Sequence, residues 1–342
     1  MFNIIFVLIG TFVGAGFASG KEVFNFFTIY SFNGLISILI FSLLLFLLIY
    51  KCLNIKTKFR IQNYNEFIFY LEKKYKFFNH KFFLLIINIF LASSFYIMTN
   101  ALSALFNYQF NISKIIIIFC TIIISYIIFY KENINFIYII NSILMPILIL
   151  FIISLCSINI NFNNIKANLN LINNNSNIFI SIFMGLLYFS YNSLLLIPII
   201  FDLKIYKKNN NLIITFIFSL IIFLITFLIN LLLLSFYKFI YNLELPILYI
   251  SNSSIKIFSY FYFFIILSAI FTTMISSGYS FTSNFNSKNN NTNNNFKIKL
   301  IIFLLFSFIF CLFSFSNLIN FFYPVFGLIG FIQIFLILIN KS

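Results

Sequence analysis

Charge is scarce in this chain. Of its 342 residues only 8% are Asp, Glu, Lys or Arg, where a soluble domain carries about 25%. That excludes an ordinary soluble globule, because so few ionised groups cannot dress its surface. Tryptophan is absent, and there are four prolines, nine glycines and one histidine, His80. The four cysteines, Cys52, Cys120, Cys156 and Cys311, lie far apart in or beside apolar runs. No Cys-x-x-Cys or Cys/His pairing is present, so neither a disulfide framework nor a Cys/His metal site is expected. The six carboxylates are Glu22, Glu66, Glu72, Glu132, Asp202 and Glu244, and none pairs with another as an acid/base dyad. No phosphate-binding loop is visible. An enzyme is therefore not expected, and no charged ring or repeated filter of a channel is seen.

What the chain has instead is apolar surface. Apolar residues make up 62% of it, about 212 residues, enough for about ten helices at ~20 residues per span. They run in blocks without alternation, which argues against a β-barrel. Phe, Ile, Asn, Lys and Tyr all have AT-rich codons, so their abundance carries little functional information. Gly, Pro, Ser, Thr and the rare charges carry more.

Ten hydrophobic segments are predicted, at about 3–28, 33–53, 82–107, 114–131, 135–158, 177–202, 211–237, 255–281, 297–316 and 318–340. The first lacks the basic start and small-residue cleavage pattern of a signal peptide. No soluble domain is expected, so 1–342 reads as a single transmembrane domain. In the connection 54–81, Tyr64–Phe78 alternates aromatic residues with Lys and Glu, which predicts an interfacial amphipathic helix. The Asn-rich stretches 159–177 and 284–295 read as loops. With the N-terminus cytoplasmic, 16 basic residues fall inside and five outside, the full 21. This bias predicts that both termini are cytoplasmic. The net charge of +15 is then explained by topology and anionic lipid, and needs no nucleic-acid partner.

Four of the nine glycines crowd into Gly10–Gly20. Gly10/Gly14 and Gly16/Gly20 each form a GxxxG, compatible with close helix packing. However, each Gly costs ~1 kcal/mol in a helix interior, and Lys21-Glu22 comes directly before the apolar run resumes. A break here leaves backbone groups that lipid cannot satisfy, so a cavity, water or ligand must. The sixth segment holds Gly185, then Tyr188-Phe189-Ser190-Tyr191-Asn192-Ser193, then Pro198. Interruptions in the first and sixth of ten spans predict an all-α polytopic protein in a 5+5 inverted repeat, about 3–158 and 177–340. Paired broken helices of this kind mark a transporter's midplane site. Pro146, Pro198 and Pro324 are expected to kink their spans.

Gly10-x-x-Val13-Gly14-Ala15-Gly16-Phe17-Ala18-Ser19-Gly20-Lys21-Glu22 resembles the first helix of the YkvI-type bacterial membrane proteins, which are related to the amino acid–polyamine–organocation superfamily. Tyr188-Phe189-Ser190-Tyr191-Asn192 and Tyr323-Pro324-x-x-Gly327 look similar to segments of the same family. Lys21 departs from its usual Gln. A wider resemblance is to sodium-coupled transporters of the leucine-transporter fold, through Gly10, Val13, Gly14 and Gly16 and through Ala269-Ile270-Phe271-Thr272-Thr273. It implies a Na+ ion held by the carbonyls of Gly10, Val13 and Ala269 and the hydroxyls of Thr272 and Thr273, oxygen ligands suited to a hard cation. The resemblance also implies a bacterial cytoplasmic membrane.

The substrate is expected between Gly14, Ala15, Gly16, Ser19 and Gly20, whose N–H groups suit a carboxylate, and Tyr188, Ser190, Tyr191 and Asn192. Asn88, Ala92, Tyr96 and Asn100 form one stripe on the third span, with Tyr96 as gate candidate. Glu22 is the candidate for coupling, through a proton or a substrate amine, because embedded ionisable groups are functional candidates. The expected function is a secondary transporter of a small organic solute, an amino acid or related zwitterion, with Na+ favoured over H+. The alternative is a non-transporting sensor or receptor subunit of the same fold. Apart from substrate and lipid, no partner is expected, and no cofactor beyond the possible coupling Na+.

Overall fold

A computed structural model describes residues 2–75, 80–131, 135–172, 177–203, 210–254, 256–286 and 293–339, and every regular element among them is helical. The inside lysines Lys76, Lys204, Lys207, Lys208, Lys288 and Lys341 lie outside the described residues. The helices are α1 (Phe2–Phe12), α2 (Ala15–Ser19), α3 (Lys21–Phe26), α4 (Ser31–Phe59), α5 (Tyr64–Lys74), α6 (His80–Phe110), α7 (Lys114–Lys131), α8 (Asn135–Asn159), α9 (Phe162–Ile172), α10 (Ile178–Asp202), α11 (Asn211–Ser235), α12 (Tyr237–Ile240), α13 (Pro246–Ser254), α14 (Lys256–Asn286), α15 (Asn293–Phe310) and α16 (Phe315–Ile339).

Six described stretches are long and apolar enough to cross a membrane: Lys21–Phe59, Lys81–Phe110, Ile178–Asp202, Asn211–Ser235, Ser259–Thr282 and Phe315–Ile339. Met145–Asn159 and Phe162–Asn170 meet at 83° and make a seventh if counted as one bent span, while Lys114–Tyr130 is apolar but shorter. The chain is thus a multi-pass helical membrane protein. Helices suit this environment because they satisfy every backbone group within the segment.

The first span breaks where the glycines crowd. After α1 the chain is extended at Gly14 (φ −86°, ψ −175°), and α2 ends at Gly20 with φ +80°. Any side chain at Gly20 would be strained in that left-handed conformation, and its Cβ would also lie 2.6 Å from Ile247. A 3₁₀ turn at Thr28–Tyr30 and a positive φ at Ser31 lead into α4.

The sixth span does not break, contrary to the expectation of two broken helices. α10 is continuous from Ile178 to Asp202, with Pro198 inside it. Its polar side chains turn back onto the helix: Asn192 Nδ2 donates to the Tyr188 carbonyl (2.9 Å) and Ser193 Oγ to the Ser190 carbonyl (2.6 Å). The small residues serve close packing instead. α10 lies between α4 and α16. Ser37 on α4 donates to the Ser181 carbonyl at 2.8 Å, beside Gly185. On α16, a Cβ at Gly327 or Gly330 would stand 2.8 Å from the Leu187 carbonyl oxygen or 2.6 Å from that of Ser190.

The stretch 159–177 is not a loop either, since it contains α9. Its buried residues Ile165, Asn168 and Ile172 fall at helical spacing on one face. They pack on α11, where Asn168 Nδ2 donates to the Leu234 carbonyl (2.7 Å). Asn richness hid this amphipathic pattern. Of the other Asn-rich stretch, 287–292 lies outside the described residues. The helix expected over Tyr64–Phe78 is present as α5 over Tyr64–Lys74, with 76–78 outside the described residues. Asn63 caps it by accepting from the Glu66 N–H (2.9 Å), while Glu66 accepts from the Gln62 N–H (2.8 Å). Phe67 stacks on Phe201 of α10 at 3.9 Å.

Candidate functional site

The bend of the first span folds Glu22 back onto its own break. Glu22 sits in the first turn of α3, is 3% exposed, and reaches Gly16 so closely that a Cβ there would overlap the carboxylate. Only glycine leaves that room. The Phe17 backbone N–H faces the same carboxylate. From α10, the Tyr191 hydroxyl donates to Glu22 Oε2. Tyr323 of α16 faces Glu22 as well and stacks on Tyr191 at 4.5 Å. The Tyr188 hydroxyl approaches the carboxylate without a well-aligned bond and is buried without a hydrogen-bond partner. Its ring is enclosed by Phe26, Phe27 and Phe41, with centroids at 5.2, 5.0 and 5.1 Å.

A cavity of about 430 Å³ begins at this cluster. Glu22, Gly14, Met98, Tyr191, Asn192 and Tyr323 line one end, and Asn63, Tyr64, Asn65 and Asp202 the other. Tyr64 gives its N–H to Asp202 Oδ1 (3.0 Å) and accepts at its hydroxyl from Gln333 Nε2 (3.0 Å). Burial pushes the Tyr64 phenol above its ordinary range. Beyond Glu22, described residues bridge neighbouring elements. The Tyr262 hydroxyl bonds to the Ala18 carbonyl, Lys21 Nζ reaches the Leu243 carbonyl (2.9 Å), and Thr28 Oγ1 bonds to Asn230 Oδ1 (2.7 Å). α12 and α13, not predicted from sequence, build this side; their short, mixed segments gave no span signal.

Of the predicted substrate residues, Gly14, Tyr191 and Asn192 line the cavity. Ala15, Gly16 and Ser19 are buried in α2, and Ser19 Oγ bonds to the Gly16 carbonyl (3.0 Å). Ser190 is buried against Gly330. The third-span stripe divides: Asn88 lines the cavity, whereas Tyr96 turns to α15, where its hydroxyl donates to the Phe303 carbonyl (3.0 Å) and its ring stacks on Phe310 at 4.4 Å. Leu84, Ile87, Leu91, Ser94 and Met98 of α6 face the cavity instead.

Of the five proposed cation ligands, Gly10 and Thr273 line the cavity. The Gly14 N–H, which an unbroken helix gives to the Gly10 carbonyl, bonds to Phe12 instead (3.1 Å). That diverts the partner of the Gly10 carbonyl, at a residue on the cavity wall. Thr273 lies on the same wall, and Val13, Ala269 and Thr272 are buried and do not line it. Thr272 and Thr273 both donate to the Ala269 carbonyl (3.1 and 2.9 Å), so their oxygens remain acceptors. The Ala269 carbonyl therefore already accepts from both hydroxyls.

No family model matches the chain, and no curated protein matches it by sequence. Among solved structures, it is similar to a Na+-coupled sialic acid symporter captured substrate-bound and outward-open. The TM-score is 0.60 at 16% identity, covering 97% of this chain and 76% of that one. The likeness is therefore one of fold alone.

Proposed function

We propose that the chain is a secondary transporter that moves a small organic solute by ion-coupled alternating access. In this reading ten spans form two oppositely inserted five-helix halves with both termini cytoplasmic, in the bacterial cytoplasmic membrane. Na+ is the coupling ion in preference to H+, and the solute class is an amino acid or related zwitterion. The YkvI-type resemblance rests on the motif residues alone.

The observation that carries the reading is a broken first span whose buried Glu22 stands on the wall of a cavity that also includes the exposed Asn63 and Asn65 at the start of α5. In this reading α5 is cytoplasmic and the cavity is open towards it, an inward-facing arrangement, whereas the similar symporter was captured outward-open. One fold in two such forms is what alternating access requires. The Gly10 carbonyl and the hydroxyl oxygens of Thr272 and Thr273 favour Na+ as the coupling ion.

The test is uptake of radiolabelled amino acids into proteoliposomes under an inward Na+ gradient, with K+ as control. Uptake is expected to depend on Na+. Thr272→Ala/Thr273→Ala is expected to raise the half-maximal Na+ concentration roughly tenfold or more, as for lost cation ligands. An unchanged Na+ response sinks the ion site, and binding without flux favours the sensor alternative.

A further inference from the structure

The N–H groups at the break of the first span were expected to receive a substrate carboxylate. In the structure a carboxylate of the chain itself lies there. Glu22 fills the space left by Gly16, faces the Phe17 N–H, and accepts from Tyr191. A second carboxylate at this end of the cavity would have to compete with Glu22 for the same donors.

The rest of the wall points the same way. Its only charged side chains among the described residues are Glu22 and Asp202, both acidic. Asn192 donates one of its two Nδ2 hydrogens within α10, while its Oδ1 is buried with no partner. Thr273, Ser276 and Ser277 donate their hydroxyl hydrogens to carbonyls of their own helix, at 2.9, 3.0 and 2.9 Å. Each has one hydrogen to give, so these oxygens offer the cavity acceptors only. Between the polar groups stand Leu91, Met98, Leu194 and Leu195. The amides of Asn63, Asn65 and Asn88 on the same wall can donate as well as accept, but the acidic Glu22, the hydroxyl acceptors and the apolar residues together match a group that only donates. A protonated amine has three donors and no acceptor, and the stacked rings of Tyr191 and Tyr323 add cation–π attraction.

We propose that the solute is a primary organic amine without a carboxylate, its ammonium docked on Glu22 and Asn192 and its apolar body in the cavity. Binding stands on the cavity alone, and only the movement of the bound amine across the membrane rests on the transporter reading. The assignment keeps the small organic solute of the transporter reading and replaces its zwitterion with a cation, because the place a zwitterion's carboxylate would take is held by Glu22.

The experiment is calorimetric titration of the purified full chain with a matched set: phenethylamine, phenylalanine and 3-phenylpropionate, together with n-alkylamines from methylamine to hexylamine. Amines are expected to bind, the acid not to bind, and phenylalanine to bind no more tightly than phenethylamine. Glu22→Gln is expected to weaken amine binding roughly tenfold or more, as for a lost charge-assisted bond, with partial recovery in Glu22→Asp. Asn192→Ala, which leaves the carboxylate in place, is expected to weaken it by a smaller factor and keeps the test open if Glu22→Gln does not fold. Tighter binding of phenylalanine or the acid, no binding by any amine, or amine binding unchanged in the variants would overturn the proposal. Those outcomes leave the Na+-driven uptake test standing; amine binding without any ion-driven flux supports this assignment and removes the transporter reading.

Discussion

The first span and α10 both interrupt apolar sequence with small and polar residues, and they fold in opposite ways. The first span breaks twice within Phe12–Lys21, while α10 runs unbroken through Tyr188–Ser193. The difference lies in where the backbone groups find partners. Between Gly14 and Gly20 three glycines leave the backbone free to leave the helix and give it no side chain to hold it. In α10, Asn192 and Ser193 bond to carbonyls three or four residues back, which is compatible with a continuing helix. A polar cluster inside a span is thus no break by itself; the density of glycine decides.

Three substitutions sharpen or break this comparison. The largest effect is expected from Gly16→Ala. The new Cβ must displace the Glu22 carboxylate, so uptake is expected to fall about a hundredfold, as for a misplaced binding group. Uptake per folded molecule in proteoliposomes checks this. Gly330→Ala comes next. Its Cβ meets the Ser190 carbonyl oxygen at 2.6 Å, an overpacked contact between α16 and α10 expected to cost about 1–3 kcal/mol of stability. A thermal melt should drop while uptake per folded molecule holds. If Gly330→Ala abolished uptake and Gly16→Ala only lowered the melt, the assignment of site to one span and packing to the other would be reversed. The smallest effect is expected from Asn168→Ala. Loss of its bond to the Leu234 carbonyl should cost about 1 kcal/mol and loosen α9 from α11. Hydrogen exchange confined to 162–172 would report it, and unchanged exchange would mean that apolar contacts alone hold α9.

Much of the fold was legible because hydrophobic length and helix geometry are local properties. Each predicted apolar segment carries a helix, and α5 is explained by its alternating aromatic and charged residues. The break of the first span was legible from glycine spacing. α9 was missed because asparagine is both common in this chain and a turn former, which obscured Ile165, Asn168 and Ile172 on one face. Tyr96 was placed in the pathway from its stripe, but the rotation of α6 presents Leu84, Leu91, Ser94 and Met98 to the cavity. Period alone gives a face, not the neighbour it meets.

The sequence by itself determined an apolar, multi-pass helical chain with a first span that cannot continue, because composition and glycine density act within one segment. Only the tertiary structure decided what the break holds. Glu22 stands near Lys21 at what reads from sequence as a span end. Whether it faced solvent or the interior depended on the turn at Gly20 and on Tyr191 and Tyr323, more than 160 residues further along the chain. A buried carboxylate is set by the partners that surround it, and those partners come together only when α3, α10 and α16 pack.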